Sequence, residues 1–317
     1  MKIKFIWMYL LLVSFSVNAL AWGFEAHRYI NRCAVFTLPP SMFTFYKYYL
    51  GYLTENAVNP DKKRYLIEGE AAHHYIDLEY YGDNPFNKLP QNWNQAIQQY
   101  AADTLLENGI LPWHIYLMKH RLTAAFRNKD IQQILKLSAD IGHYIADANV
   151  PLHTTQNYNG QLTNQHGIHG LWETRLPELF KETYNIFIGQ ATYVEDPQKA
   201  AWDAIMQAHA AVKDVLRLEK NLSQSFNKLN KFSFEKKGKS LRKVYSEAYA
   251  TVYHELLAGQ VERQMRASIK MVGDFWLTCW IDAGEPDLNE LLGVNLAEES
   301  KEEPFNQLQL QVRECGD

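Results

Sequence analysis

One eleven-residue string constrains this chain more than any other: His143-Tyr144-Ile145-Ala146-Asp147-Ala148-Asn149-Val150-Pro151-Leu152-His153. It continues a run of apolar residues at helical spacing, so residues 130–147 are expected to form a helix. His143 and Asp147 stand four apart and therefore share one helix face, a turn from each other. Pro151 should end that helix, because proline lacks the amide donor and clashes with the preceding turn. His153 then projects from just beyond the end, towards a second position nearby.

The rest of the chain reads as all-α, a single multi-helix domain. Apolar residues recur at helical spacing over 94–107, 113–127, 169–181, 198–220, 239–272 and 272–281, with a break at Asn128 to Asp130. The best strand candidate is Asn185 to Thr192. A chain of 317 residues is long enough for one large domain with a well-buried core. Residues 22–283 are assigned to that domain. Residues 284–317, rich in Glu and Asp, are expected to be a loosely packed acidic extension.

The first 21 residues have the parts of a secretory signal: Lys2 and Lys4, an apolar run from Phe5 to Val17, and Ala19-Leu20-Ala21 as a small-residue cleavage site. The apolar run is short for a membrane span, which needs roughly 20 residues. An exported protein, periplasmic or extracellular, is therefore expected. Cleavage would leave Trp22 as the new N-terminus, with His27 five residues on, and would take the formal charge from −4 to −6. That acidic balance argues against gripping long nucleic acid by bulk electrostatics. It leaves room for a site that binds phosphate through metal ions. Of three cysteines, Cys279 and Cys315 are a candidate disulfide that would staple the C-terminal tail.

Other ligand-type residues surround the central string. His169-Gly170-Leu171-Trp172-Glu173 repeats the four-residue histidine–carboxylate spacing, Ala72-His73-His74-Tyr75-Ile76-Asp77 is rich in imidazole, and Asp61-Lys62-Lys63-Arg64 adds an acid and a cation. A lone helical histidine is more often a packing residue than a ligand, and His114, His120, His209 and His254 are assigned to packing or surface. Several pairs of the same kind shift the balance towards a multinuclear metal site. Nitrogen and oxygen ligands with few thiolates suit zinc in a hydrolytic role. His166 is a candidate supporting residue beside His169. The basic residues Lys228, Lys231, Lys236, Lys237, Lys239, Arg242 and Lys243 read first as a solvated face and second as a polyanion contact.

From Trp22 to about Glu173 these motifs resemble the zinc-dependent phospholipase C and single-strand-specific nuclease superfamily, all-helical enzymes with three zinc ions. The resemblance implies that the Trp22 amine and carbonyl, His27 and Asp147 hold one zinc. Asp61, His74, His143 and Asp147 would hold a second, and His153, His169 and Glu173 a third. His74 is preferred to His73 because His74-Tyr75-Ile76-Asp77 fits the family's His-aromatic-Ile-Asp string. The Trp22–His27 spacing and Asp61-x-x-Arg64 are similar to the nuclease branch, whereas Glu173 is the phospholipase choice. On the nuclease side, Tyr75 and Asp77 become a base site, Asp61 orients the attacking water and Arg64 stabilises charge on phosphate oxygens. The expected activity is zinc-dependent hydrolysis of single-stranded DNA or RNA to 5′-phosphates, by activated water attacking phosphorus. The alternative substrate is phospholipid; a different class of reading is an inactive zinc-stabilised binding protein. Three Zn²⁺ against three carboxylates would leave the site roughly +3, enough to draw in an anionic substrate. No stable protein partner is implied.

Overall fold

Asp130 begins the helix on which the rest of the fold is arranged. In a computed structural model, which describes residues 23–64, 66–237 and 240–294, the helix runs Ile131–Ala148, and the Asp130 side chain accepts from the Gln133 amide at 3.1 Å. That cap satisfies one of the four amides a helix start leaves without a partner. Fifteen of its residues are buried, including Asp140, His143 and Asp147. It therefore forms the centre of the molecule, with its ligand-type face inside.

Helices Phe24–Ala34, Leu50–Asn56, Leu111–Arg127, Pro197–Ser225 and Gln260–Asp282 surround it. The approach of the first helix is set at Gly142. A Cβ there would come within 2.1 Å of Asn31 Oδ1, and Asn31 donates to the Ala139 carbonyl at 3.0 Å. On another side Trp276 lies against Tyr46, ring centroids 4.8 Å apart, and donates to the Ser138 carbonyl at 3.0 Å. The described chain is a mostly helical single domain. Among its described residues no helix is long and apolar enough to cross a membrane.

Several helices expected from spacing are interrupted. The 94–107 stretch divides into Trp93–Tyr100 and Ala102–Glu107 because Ala101 takes a positive φ of 62°. The 169–181 stretch is a short α-turn, Ile168–Gly170, then a π-turn, Leu171–Arg175, then Leu176–Phe180. Pro177 cannot donate to the carbonyl four residues back, that of Glu173. That carbonyl instead accepts the Gly23 amide at 3.3 Å.

The single helix expected over 239–272 is not formed. Phe232–Lys237 and Ser240–Tyr245 pair as an antiparallel hairpin, and the chain then forms Glu247–Leu256 and Gln260–Asp282. Positive φ values at Ala258 and Gly259, 49° and 76°, separate the two helices. The strand expected at 185–192 is likewise absent. That segment crosses the last long helix with its amides bound by other groups: Asn185 to Glu262, Ala191 to the Thr37 carbonyl and Thr192 to Asp274.

Of the acidic segment, residues 284–294 are described, and they are mostly exposed with two leucines anchoring them. Leu288 and Leu291 are buried, Trp280 donates to the Pro286 carbonyl, and Tyr49 to that of Leu291. Cys279 is buried with its thiol on the Lys119 carbonyl at 3.4 Å. Its candidate partner Cys315 lies outside the described residues, as do the signal segment and Trp22.

Candidate metal centre

Three groups of buried side chains could hold metal ions: His27, Asp61 and His143; His74, His143 and Asp147; and His153, His169 and Glu173. The central helix contributes His143 and Asp147. The turn that follows it contributes His153, the first helix His27, the short Asn59–Lys63 helix Asp61, and the Glu70–His74 turn His74. His169 and Glu173 come from the α-turn and π-turn. Of the nine residues expected as metal ligands, eight are described, and each falls in one of these three groups; His27 groups with Asp61 and His143 where the resemblance set it with Asp147. Around one tetrahedral zinc with bonds near 2.0–2.2 Å, ligand atoms stand about 3.3–3.6 Å apart. Here His27 Nε2 is 3.5 Å from Asp147 Oδ1, His143 Nε2 is 3.3 Å from Asp147 Oδ2, and His153 Nε2 is 3.3 Å from Glu173 Oε2. Asp61 Oδ1 lies 3.8 Å from His143 Nε2 and 3.9 Å from His74 Nδ1.

The tautomers explain why a cation fits between these atoms. His143 Nδ1 donates to the Ala57 carbonyl at 2.8 Å, His153 Nδ1 to that of His74 at 2.6 Å and His169 Nδ1 to that of Tyr158 at 3.0 Å. A carbonyl only accepts, so each Nδ1 carries the proton and each neutral ring presents a bare Nε2 to the centre. Those nitrogens face carboxylate oxygens, which are also acceptors. Both oxygens of Asp61 and of Glu173, Asp147 Oδ1, His153 Nε2 and both nitrogens of His27 are buried without a hydrogen bond. Buried acceptors facing buried acceptors need either extra protons or a cation. Backbone carbonyls that orient ligand imidazoles are the usual outer support of a metal site.

Without a metal, shifted protonation supplies the balance. Burial alone would raise the Asp147 carboxyl, yet His143, His153 and His74 hold it well below the usual carboxylate range. Burial lowers His143, but Asp147 and Asp61 overcome it and push the ring up to about 9. Glu173 is lowered by His169 and His153 against the cost of burial. At Asp61 burial wins over His143 and His74, and the carboxyl is raised. His27, desolvated and beside His143, falls well below its usual value.

At the rim, Arg64 NH1 lies 3.6 Å from Asp61 Oδ1 with a quarter of its side chain exposed. Tyr75 is half-buried, its hydroxyl donating to the Glu107 carbonyl at 3.1 Å. Gly109, at φ +85°, leaves the room it needs: a Cβ there would meet the Tyr75 carbonyl at 2.1 Å. Asp77 is held by its amide on the Asn108 carbonyl, and burial, then Glu79, pushes its carboxyl up to about 6. His74 rather than His73 faces the centre, with Nδ1 2.9 Å from Asp147 Oδ2. His73 stacks on His114, ring centroids 3.7 Å apart. His209 bonds Thr154, His254 bonds Tyr184, and His120 meets the Tyr116 ring edge-on. The His166 side chain is exposed.

Sequence reasoning missed Glu70 and Tyr144. Glu70 Oε1 is 3.6 Å from His74 Nε2 and accepts the Tyr144 hydroxyl at 2.5 Å, while Oε2 is 3.3 Å from His73 Nδ1. The signal was available: Glu70 and His74 stand four apart, as do His143 and Asp147, and His169 and Glu173. The Gly23 amide on the Glu173 carbonyl brings the start of the described chain to the centre. No protein-family model matches the chain, and no curated protein matches it.

Proposed function

We propose that the protein is an exported, zinc-dependent phosphodiesterase whose substrate is single-stranded DNA or RNA. The observation that carries this reading is the cluster of buried, unpaired carboxylate oxygens and imidazole nitrogens opening towards Arg64. Three zinc ions fit its donor set, held by Trp22 with His27 and Asp147, by Asp61, His74, His143 and Asp147, and by His153, His169 and Glu173. Bound there, zinc supplies Lewis acidity and a nucleophilic water at neutral pH. Asp61, neither of whose oxygens has a hydrogen-bond partner, would orient the attacking water or take its proton. Arg64, always charged and partly exposed, binds the non-bridging oxygens of the phosphodiester. Tyr75 offers a ring face and Asp77 a carboxylate to a nucleobase.

A phospholipid substrate is the second reading. Glu173 favours it, as do two exposed apolar side chains near site residues in the chain: Leu66, 82% exposed, just after Arg64, and Leu162, 70% exposed, in the segment leading to His169. The test is to express residues 22–317 with a native N-terminus, load zinc, count the ions and assay single-stranded nucleic acid beside phosphatidylcholine. The expected result is about three zinc ions and turnover of nucleic acid. Turnover of lipid alone would move the assignment to a phospholipase C. Full zinc with no turnover would make the chain a zinc-stabilised binding protein, and one zinc or none would remove the premise.

A further inference from the structure

We propose that the paired strands Phe232–Lys237 and Ser240–Tyr245 dock the protein onto the surface of an anionic phospholipid bilayer. The pairing register sets Phe234 opposite Lys243 and Lys236 opposite Leu241. Cross-strand partners share a face and residues two apart on a strand share it as well, so these four side chains form one patch. Phe234 and Leu241 are each 68% exposed, both lysines are exposed, and Leu229 at the foot of the hairpin is 88% exposed.

Composition and charge decide the occupant. Residues 228–243 hold seven Lys and Arg against one Glu, on a chain of net charge −4. Among the described residues, Lys228, Lys236, Arg242 and Lys243 form no ion pair. Positive charge interleaved with leucine and phenylalanine suits the headgroup–acyl boundary of an anionic membrane, where apolar side chains enter and amines stay with the phosphates. A single-stranded nucleic acid wants a row of aromatic faces. Two of the three exposed apolar side chains here are leucines.

The hairpin is fastened at its base, where Phe232 and Tyr245 of this same face pack onto the domain, and Phe234, Lys236, Leu241 and Lys243 extend beyond that contact as exposed side chains. A two-stranded hairpin alone is marginal in water. Here Arg175 grips both carboxylate oxygens of Glu235 at 3.0 and 2.5 Å. Lys231 reaches Glu219 at 2.9 Å and Ser223 at 2.7 Å, and the Tyr245 hydroxyl donates to the His166 carbonyl at 3.2 Å. Arg175 is two residues from Glu173, and His166 three from His169. The base of the hairpin is therefore bonded to the segment that carries His169 and Glu173.

The test is flotation of the zinc-loaded full chain with vesicles of phosphatidylcholine containing one third phosphatidylserine, and with phosphatidylcholine alone. Binding should require the anionic lipid and weaken as salt rises. Lys236→Gln with Lys243→Gln should lower partitioning about 30-fold, roughly fivefold per charge. Phe234→Ser with Leu241→Ser should lower it by at least about tenfold. Both pairs should keep the parent's thermal midpoint and metal content, since the apolar pair is exposed and neither pair touches the centre. Absence of binding to anionic vesicles, or parental binding by both variants, would overturn the proposal. So would loss of single-stranded oligonucleotide binding with vesicle binding unchanged. The readout needs no catalysis, so failure of the hydrolase assignment leaves it standing.

Discussion

In the proposed zinc form, replacing Glu70 with glutamine should loosen the ion assigned to His74 and leave the His153–His169–Glu173 group as it was. His74 directs Nδ1 into the centre, 2.9 Å from Asp147, so as a ligand it carries its proton on Nε2, which faces Glu70 at 3.6 Å. Glutamine keeps the shape and an acceptor for Tyr144 but removes the carboxylate charge beside His74 Nε2, a buried nitrogen with no hydrogen bond of its own. Loss of such an outer carboxylate costs about 10–100-fold in metal affinity. At about 1.4 kcal/mol per decade that is roughly 1.4–2.7 kcal/mol. Chelator competition on the zinc form, with optical spectra of a cobalt-substituted form, should resolve one weakened ion and one group unchanged. Unchanged affinity for every ion would refute the positioning role. Equal weakening of all of them, with a lowered thermal midpoint in the metal-free protein, would assign Glu70 to the fold instead.

Gly142→Ala should wedge the first helix from the central one, because the new Cβ would meet Asn31 Oδ1 at 2.1 Å. Overpacking of this kind costs about 1–3 kcal/mol, so a thermal melt should show a midpoint several degrees lower; an unchanged midpoint contradicts the close packing. The Asp77 carboxyl sits at about 6 in the fold, above its ordinary 3.8, so the folded state holds its proton more tightly than the unfolded chain does. Stability through this group therefore falls as pH rises from about 4 to about 6 and stays lower beyond. Asp77→Asn should remove that slope in denaturant titrations and stabilise the protein at neutral pH; a slope that persists would place its origin elsewhere. The described chain starts with the Gly23 amide anchored on the Glu173 carbonyl, and the resemblance adds the Trp22 amine to the ligand set. One added methionine before Trp22 should lower the metal content by about one ion, and full content by elemental analysis would remove the Trp22 amine from the ligand set.

Helix spacing made much of the centre readable before any coordinates. His143 with Asp147, and His169 with Glu173, share a face because the α-helix repeats every 3.6 residues. Pro151 placed His153 beyond the helix end for an equally local reason. The helices Leu111–Arg127, Ile131–Ala148 and Pro197–Ser225 follow their apolar periodicity closely. Leu241, Val244 and Tyr245 satisfy helical spacing over a short window, so from sequence the second strand of the hairpin reads as part of a helix. What separates the two readings is Phe232–Lys237, a partner strand earlier in the chain.

By itself, then, the sequence determined which residue types are paired at ligand spacing and which long segments are helices, since both depend on contacts within a turn or two. Tertiary structure decided which distant pairs share a centre: Asp61, His27 and His74 meet His143 and Asp147 only through packing around the buried central helix. It also decided which nitrogen of each ring faces inward, because the carbonyls of Ala57, His74 and Tyr158 that take the other proton come from remote backbone. Those acceptors carry no signature in sequence, for every residue has a carbonyl and only the fold says where it points.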